Sequence, residues 1–246
     1  LKKILILFVI SLIFFTNGCV EDLSVGEEGN QNNSFGLNSL QNQSGELISG
    51  NMSEEEISIF FNTLKPVSYT ISNSYFSKKN NSLIMDSTLY FQFDESQTKL
   101  KISMNTFAEG QSFVSDSYII GKNDSSGTLT EIISYKTCMD MGGKKMCVDL
   151  TSMGENVNDL LKKQNLKSNI DISESVISYL GTKKILGVET KCFKMHYGET
   201  NTSNTCYHPN YAIVLENDIE DSQGGSVVKA TELVIGNISS KEFETS

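Results

Sequence analysis

Apolar residues in this chain first change period early, and that change marks the start of the folded part. Ile57, Phe60, Phe61 and Leu64 fall three and four apart, which puts them on one face of a helix. Ser53-Glu54-Glu55-Glu56 precedes them as a capping box, and Pro66 stops the helix just beyond. From Tyr69 the spacing becomes two. Tyr69, Ile71 and Tyr75 alternate with Thr70, Ser72 and Ser74. Leu83, Met85, Leu89, Phe91 and Phe93 share a face, against Asp86, Thr88 and Gln92. Leu100, Ile102 and Met104 alternate with Lys99, Lys101 and Ser103. Such alternation predicts strands with one buried and one wet face. Turn residues every ten to fifteen positions predict antiparallel neighbours. Phe113 to Ile120 is a less regular strand.

Leu129 to Leu150 reads as a hairpin about Gly142-Gly143. Pairing outward from that turn sets Met139 opposite Met146 and Cys138 opposite Cys147. The cysteines fall in a non-hydrogen-bonded pair, where Cα atoms approach to about 4.5 Å, within disulfide reach. Ile133, Tyr135, Met139, Met141, Met146 and Val148 take one face. Lys136, Cys138, Asp140, Lys145, Cys147 and Asp149 take the other, so this bridge is expected on the wet side. Val157, Leu160 and Leu161 predict a second helix over Glu155 to Leu166. Strands are expected again at Ser175 to Leu180 and at Val188 to Tyr197. The second of these has Phe193 and Met195 inward and Cys192 outward. After a polar loop, Gly198 to Thr205, Cys206 opens the partner strand, so the second bridge, Cys192 with Cys206, is also expected on the polar side. Tyr211 to Leu215 and Val227 to Ile235 complete about nine strands.

The first nineteen residues have another pattern. Lys2 and Lys3 precede an apolar run from Ile4 to Phe15, and Thr16-Asn17-Gly18-Cys19 follows. This is the layout of an export signal, and the run is short for a membrane span. Gly18-Cys19 resembles a lipoprotein lipobox, which implies lipidation of Cys19. An ordinary cleaved signal and an uncleaved anchor are the alternatives, and all three place the chain outside the cytoplasm. Residues 19–52, rich in Asn, Gly, Ser and Gln, read as a disordered tether. The expected organisation is a signal over 1–18, the tether over 19–52 and a domain over 53–246.

Charge and composition then narrow the function. The net charge is −10, with no arginine among the 20 basic residues. That argues against nucleic-acid binding, which needs a basic footprint. Beyond Cys19, four of the five cysteines remain, and an oxidising compartment predicts them paired. No catalytic or metal site is expected. There is no G-x-S-x-G, no phosphate-cradling glycine loop and no convincing Ser/His/Asp set. His196 and His208 lie near Cys192 and Cys206, but oxidation removes the thiols as ligands. No cofactor is expected.

The expected fold class is α+β, mainly β. Two helices cannot cover a flat sheet this large, so the pattern predicts a curved antiparallel sheet, an open half-barrel with both helices on its concave side. The order of elements, the segment Tyr179-Leu180-Gly181-Thr182-Lys183-Lys184-Ile185-Leu186-Gly187-Val188 before a strand, and the ending Asn237-Ile238 with Phe243 resemble the lipoprotein carriers of the LolA, LolB and LppX type. The resemblance implies that fold and a hydrophobic ligand. Phe60, Phe61, Leu89, Phe91, Met104, Tyr135, Met139, Met141, Met146, Phe193 and Met195 are the expected lining of a ligand cavity, methionine suiting adaptable apolar surfaces. The expected function is a membrane-anchored, non-catalytic carrier or sensor of a lipid or other hydrophobic ligand on the extracytoplasmic side. The alternative is an envelope interaction protein with a filled core that binds a protein through its outer face or loops.

Overall fold

The computed structural model describes residues 45–108, 111–123, 129–140, 144–151, 177–197, 201–220 and 224–244. Helix α1 spans Glu54–Thr63. The strands are β1 (Ile48–Ser49), β2 (Tyr69–Ser77), β3 (Leu83–Phe93), β4 (Gln97–Ala108), β5 (Gln111–Asn123), β6 (Leu129–Asp140) and β7 (Lys145–Asp149), then β8 (Ile177–Ile185), β9 (Val188–Tyr197), β10 (Asn201–Tyr207), β11 (Val214–Glu220) and β12 (Ser226–Ile235). A closing 3-10 turn covers Ser240–Phe243. The export segment, Cys19, most of the tether, Met141, Gly142-Gly143 and the expected second helix lie outside the described residues.

Twelve strands form one antiparallel sheet in the order β1-β8-β9-β10-β11-β12-β2-β3-β4-β5-β6-β7. Two meanders, β2 to β7 and β8 to β12, join where β12 pairs with β2. The sheet is not closed: β1 and β7 are its edges. The expected polar loop from Gly198 is shorter than the composition implied. Asn201 already pairs with Tyr197, and the Ser/Thr/Asn run that reads as loop is a strand.

α1 starts where the capping box predicts. The Ser53 N–H donates to a Glu56 carboxylate oxygen at 2.7 Å, and the Glu56 N–H donates to Ser53 Oγ at 3.3 Å. The Ser53 N–H, and then the Ser53 hydroxyl donating to the same carboxylate at 2.9 Å, hold the Glu56 carboxyl below its ordinary pKa. Ile57, Phe60 and Phe61 are buried. They pack with Leu64 against Phe193, Met195 and Tyr207. Phe193 is wholly enclosed, its ring 5.1 Å from Phe60, 4.9 Å from Phe61 and 5.4 Å from Tyr179.

A larger cluster holds Tyr69, Ile71, Phe91, Leu100, Ile119 and Ile132 from the first meander together with Ile185, Cys192, Cys206, Ile213 and Leu215. Neighbours along a strand point to opposite faces, so Cys192 and Phe193, like Cys206 and Tyr207, face different clusters. The β8–β11 wall is therefore covered on both sides. Both expected disulfides form, but the outward placement of Cys192–Cys206 is corrected: Cys192 is 1% exposed and the bridge lies within the larger core. The cause is the junction of the meanders. β11 and β12 stay in register only between Glu216–Ile219 and Ser226–Lys229. Irregularities flank that stretch, near Leu215 on one side and Thr231 on the other. Bulges bend strands and re-aim side chains, and beyond them the cysteine side of the wall packs with the Tyr69 row.

A second correction concerns β6. Ile133 is exposed and Ile132 is buried. A register shift between Ile120 and Gly121 of β5 moves the inward position by one residue.

Candidate functional site

The registers define a row of side chains across the whole sheet. Tyr179 pairs with Phe193, Phe193 with Thr205, Thr205 with Asn217 and Asn217 with Val228. Val228 pairs with Tyr75, Tyr75 with Met85, Met85 with Thr106 and Thr106 with Phe113. Directly opposite residues share a face. This inner face carries α1 at the Phe193 end, and it also carries the buried row Tyr69, Phe91, Leu100 and Ile119.

Toward β7 the inner face opens. Ser87, Met104, Ser115, Met139 and Met146 form one row. Leu89, Ile102, Ser117, Thr137 and Val148 form the next. Phe113 is 53% exposed, Met139 46%, Met146 56% and Val148 49%, while Met85 and Met104 are half-buried. The result is an apolar surface of flexible thioethers, one aromatic ring and one valine. Hydroxyls are interleaved: Ser117 and Thr137 share a hydrogen bond of 3.1 Å, and Ser87 Oγ donates to the Tyr75 hydroxyl at 3.4 Å. Burial pushes the Tyr75 phenol above its ordinary pKa, so it stays neutral.

The outer face behind this surface is charged and bridged. Tyr118 is buried between Lys101 and Lys145, whose ammonium groups stand 5.7 and 5.9 Å from its ring. Lys101 pairs with Glu242 of the closing turn at 3.2 Å, and Lys145 with Asp116 at 3.7 Å. Burial first, and then the Asp116 carboxylate, raise the Tyr118 pKa. Cys138–Cys147 lies on this side, as the hairpin register requires, but only half of it is wet: Cys147 is exposed, whereas Cys138 is as buried as Cys192. Among the described residues no group of three or more His, Cys, Asp or Glu is placed to hold a metal ion. His196 and His208 are on β9 and after β10, and burial lowers the His208 pKa.

The eleven residues expected to line one cavity do not come together. Phe60, Phe61, Phe193 and Met195 fill the α1 cluster. Leu89, Phe91 and Tyr135 belong to the larger core or pack against it. Met104, Met139 and Met146 lie on the open surface, and Met141 is outside the described residues. Phe113 and Val148 join that surface without having been singled out. Val148 has the parity of Met146 in the hairpin, which could have found it. Phe113 carries no such signal, because Ser115 and Ser117 occupy its row-mates on β5 and break the alternation.

No family model and no curated protein matches the chain. Among solved structures it is similar to MucB, at 10% identity and TM-score 0.49, over 79% of this chain and 64% of that one. It is also similar to the Pseudomonas aeruginosa MucA/MucB complex, at 9% identity and TM-score 0.49, over 77% and 60%. A third structure, the hypothetical protein CT021 from Chlamydia trachomatis, matches at 10% identity and TM-score 0.37, over 77% and 96%. The chain spans about three-fifths of the MucB chains it matches.

Proposed function

We propose that this chain is a non-catalytic binding protein held outside the cytoplasm by a lipidated Cys19, and that it takes a lipid chain or a similar hydrophobic ligand on the open part of its inner face. One observation carries the reading: Phe113, Met139, Met146 and Val148 stand exposed together on one face and run on into half-buried Met85 and Met104. Thioethers adapt to acyl chains of varied shape, and contiguous exposed apolar surface marks binding sites. The pairing of all four cysteines in the domain supports an oxidising location.

The test is binding of a polarity-sensitive fluorescent fatty acid to the full chain. The wild type should show saturable blue-shifted emission. Met139→Lys with Met146→Lys should remove it while thermal unfolding stays unchanged. No saturable binding by the wild type sinks the lipid reading. The second reading, an envelope interaction protein with a filled core, draws on the complete enclosure of Phe193 and Tyr207 under α1. Capture of the same partner by the wild type and by the double lysine variant, with no lipid bound by either, is the result that favours it.

A further inference from the structure

The edge strand β7 is exposed at all five residues, and among the described residues no strand pairs with its far side. Its backbone orientation follows from one bond. The Leu150 N–H donates to the Tyr135 carbonyl at 2.8 Å, so Tyr135 and Leu150 are a hydrogen-bonded pair. In an antiparallel ladder the pair type alternates. Thr137/Val148 and Met139/Met146 are then hydrogen-bonded, and Cys138/Cys147 is not. The N–H and C=O groups of Lys145, Cys147 and Asp149 therefore point away from β6, toward the open edge.

Open edges are usually blunted by charge, brevity or cover. β7 is short and carries Lys145, but its sequence Lys145-Met146-Cys147-Val148-Asp149 is self-complementary about Cys147. Opposite charges stand two residues either side of the centre, on the outer face. Apolar side chains stand one residue either side, on the inner face. We propose that β7 is a self-recognition edge: two copies of this chain pair β7 against β7, antiparallel, about a two-fold axis at Cys147. Lys145 then faces Asp149 of the partner subunit, and Met146 faces Val148 of the partner subunit. The three outward backbone positions become the hydrogen-bonded pairs. Symmetry makes each ion pair occur twice. A slip by two residues sets Lys145 against Cys147 and leaves both charges unmatched, so the charges fix the register. The Cys138–Cys147 bridge ties the strand to β6 and presents it already extended. The pairing joins the two exposed Met/Val surfaces into one inner floor, but it does not depend on what that floor binds.

The experiment uses the full chain in excess detergent. Sedimentation over roughly 1 to 500 µM, the range suited to a small interface, should show a concentration-dependent dimer. Lys145→Glu and Asp149→Lys should each weaken it by about tenfold, because like charges then meet at both ends of the pairing. The charge swap Lys145→Asp with Asp149→Lys should restore it to within about twofold. Zero-length carbodiimide coupling of mixed ordinary and nitrogen-15-labelled chains should give isotope-mixed Lys145–Asp149 cross-links. An intact Cys138–Cys147 linkage and unchanged thermal unfolding show that each variant is folded. A monomer throughout the range overturns the proposal. So do cross-links confined to single chains, a dimer indifferent to the single reversals, or a swap that fails to restore it.

Discussion

The row from Tyr179 to Phe113 crosses one continuous sheet face, yet its ends have opposite fates. At Phe193 the face is closed by α1, and the other side of the same strands is closed by the Tyr69 row. At Phe113 and Met146 the face is open. Both ends carry apolar side chains on antiparallel strands, and both are stapled by a disulfide between directly opposed cysteines with Cα atoms 4.0 Å apart. Strand pattern and cross-strand geometry are thus alike. The difference lies in what the chain delivers opposite: helix and sheet at one end, no described element at the other. Burial here is a property of the partner layer.

The sharpest test of that contrast is truncation at each end. Phe193→Ala should cost about 3–5 kcal/mol, because a wholly enclosed ring is replaced by a cavity among four aromatic neighbours. Met146→Ala should stay within about 0.5 kcal/mol, as at other exposed positions. Urea unfolding measures both, and similar losses would erase the distinction. The two disulfides come next. Their loops, 14 and 9 residues apart in sequence, differ little in chain entropy, and each bridge is worth about 3 kcal/mol by that route. Replacing Cys192 and Cys206 by alanine should cost ~1 kcal/mol more than replacing Cys138 and Cys147, since both sulfurs of the first bridge are buried and only Cys138 of the second is. Stepwise reduction followed by alkylation should label exposed Cys147 before either core cysteine.

Much of the architecture was legible because local rules decided it. The Ser53 cap, the period change at Tyr69 and the Cys138/Cys147 register follow from neighbours in sequence, and they stand in the structure as read. The location of Cys192–Cys206 was not legible. It depends on bulges beside Leu215 and Thr231, which no residue type announces. Ile132 and Ile133 exchange roles for the same reason. The candidate site was half legible. Met139 and Met146 have inward parity, but parity cannot say whether anything covers them. Gly181 and the Leu186-Gly187 pair were visible only as a segment resembling a family's. The structure supplies their physics. Leu186 and Gly187 have φ of 50° and 81° and make the two-residue turn between paired Ile185 and Val188.

Gly181 extends the comparison to the edges of the sheet, one occupied by β1 and the other, among the described residues, open at β7. β1 approaches so closely that a Cβ at position 181 would lie 2.0 Å from the Ile48 carbonyl oxygen, and the φ of +139° admits glycine alone. Gly181→Ala should cost about 1–3 kcal/mol and expel β1, whose pairing with β8 is Ile48 to Thr182 and Ser49 to Gly181. Limited proteolysis should then cut within residues 45–50 faster than in the wild type, and at β7 no faster. Unchanged cleavage in 45–50 would mean that β1 contributes nothing to closing that edge.

The smallest expected effect is acid loosening confined to the closed end. His208 is buried beside Tyr211, ring centroids 4.8 Å apart, and its Nδ1 accepts the Asn210 N–H at 3.2 Å. That bond requires a neutral nitrogen, and burial lowers the pKa below the ordinary 6.5. The unfolded chain therefore takes up a proton first as pH falls. Stability is unaffected by this group above about pH 6.5 and declines from there toward the folded-state pKa. At the open end Asp149 behaves differently. Thr151 holds its carboxyl below the usual range through hydrogen bonds from its hydroxyl and its N–H, so it stays charged in both states over this interval. Between roughly pH 7 and pH 5.5, hydrogen exchange corrected for intrinsic rates should quicken around the His208–Ile213 backbone bond and stay level along β6 and β7. His208→Gln, which cannot titrate, should remove the change. Equal acceleration at both ends, or acceleration that survives the glutamine, would mean that the acid response comes from the sheet as a whole and not from its doubly covered wall.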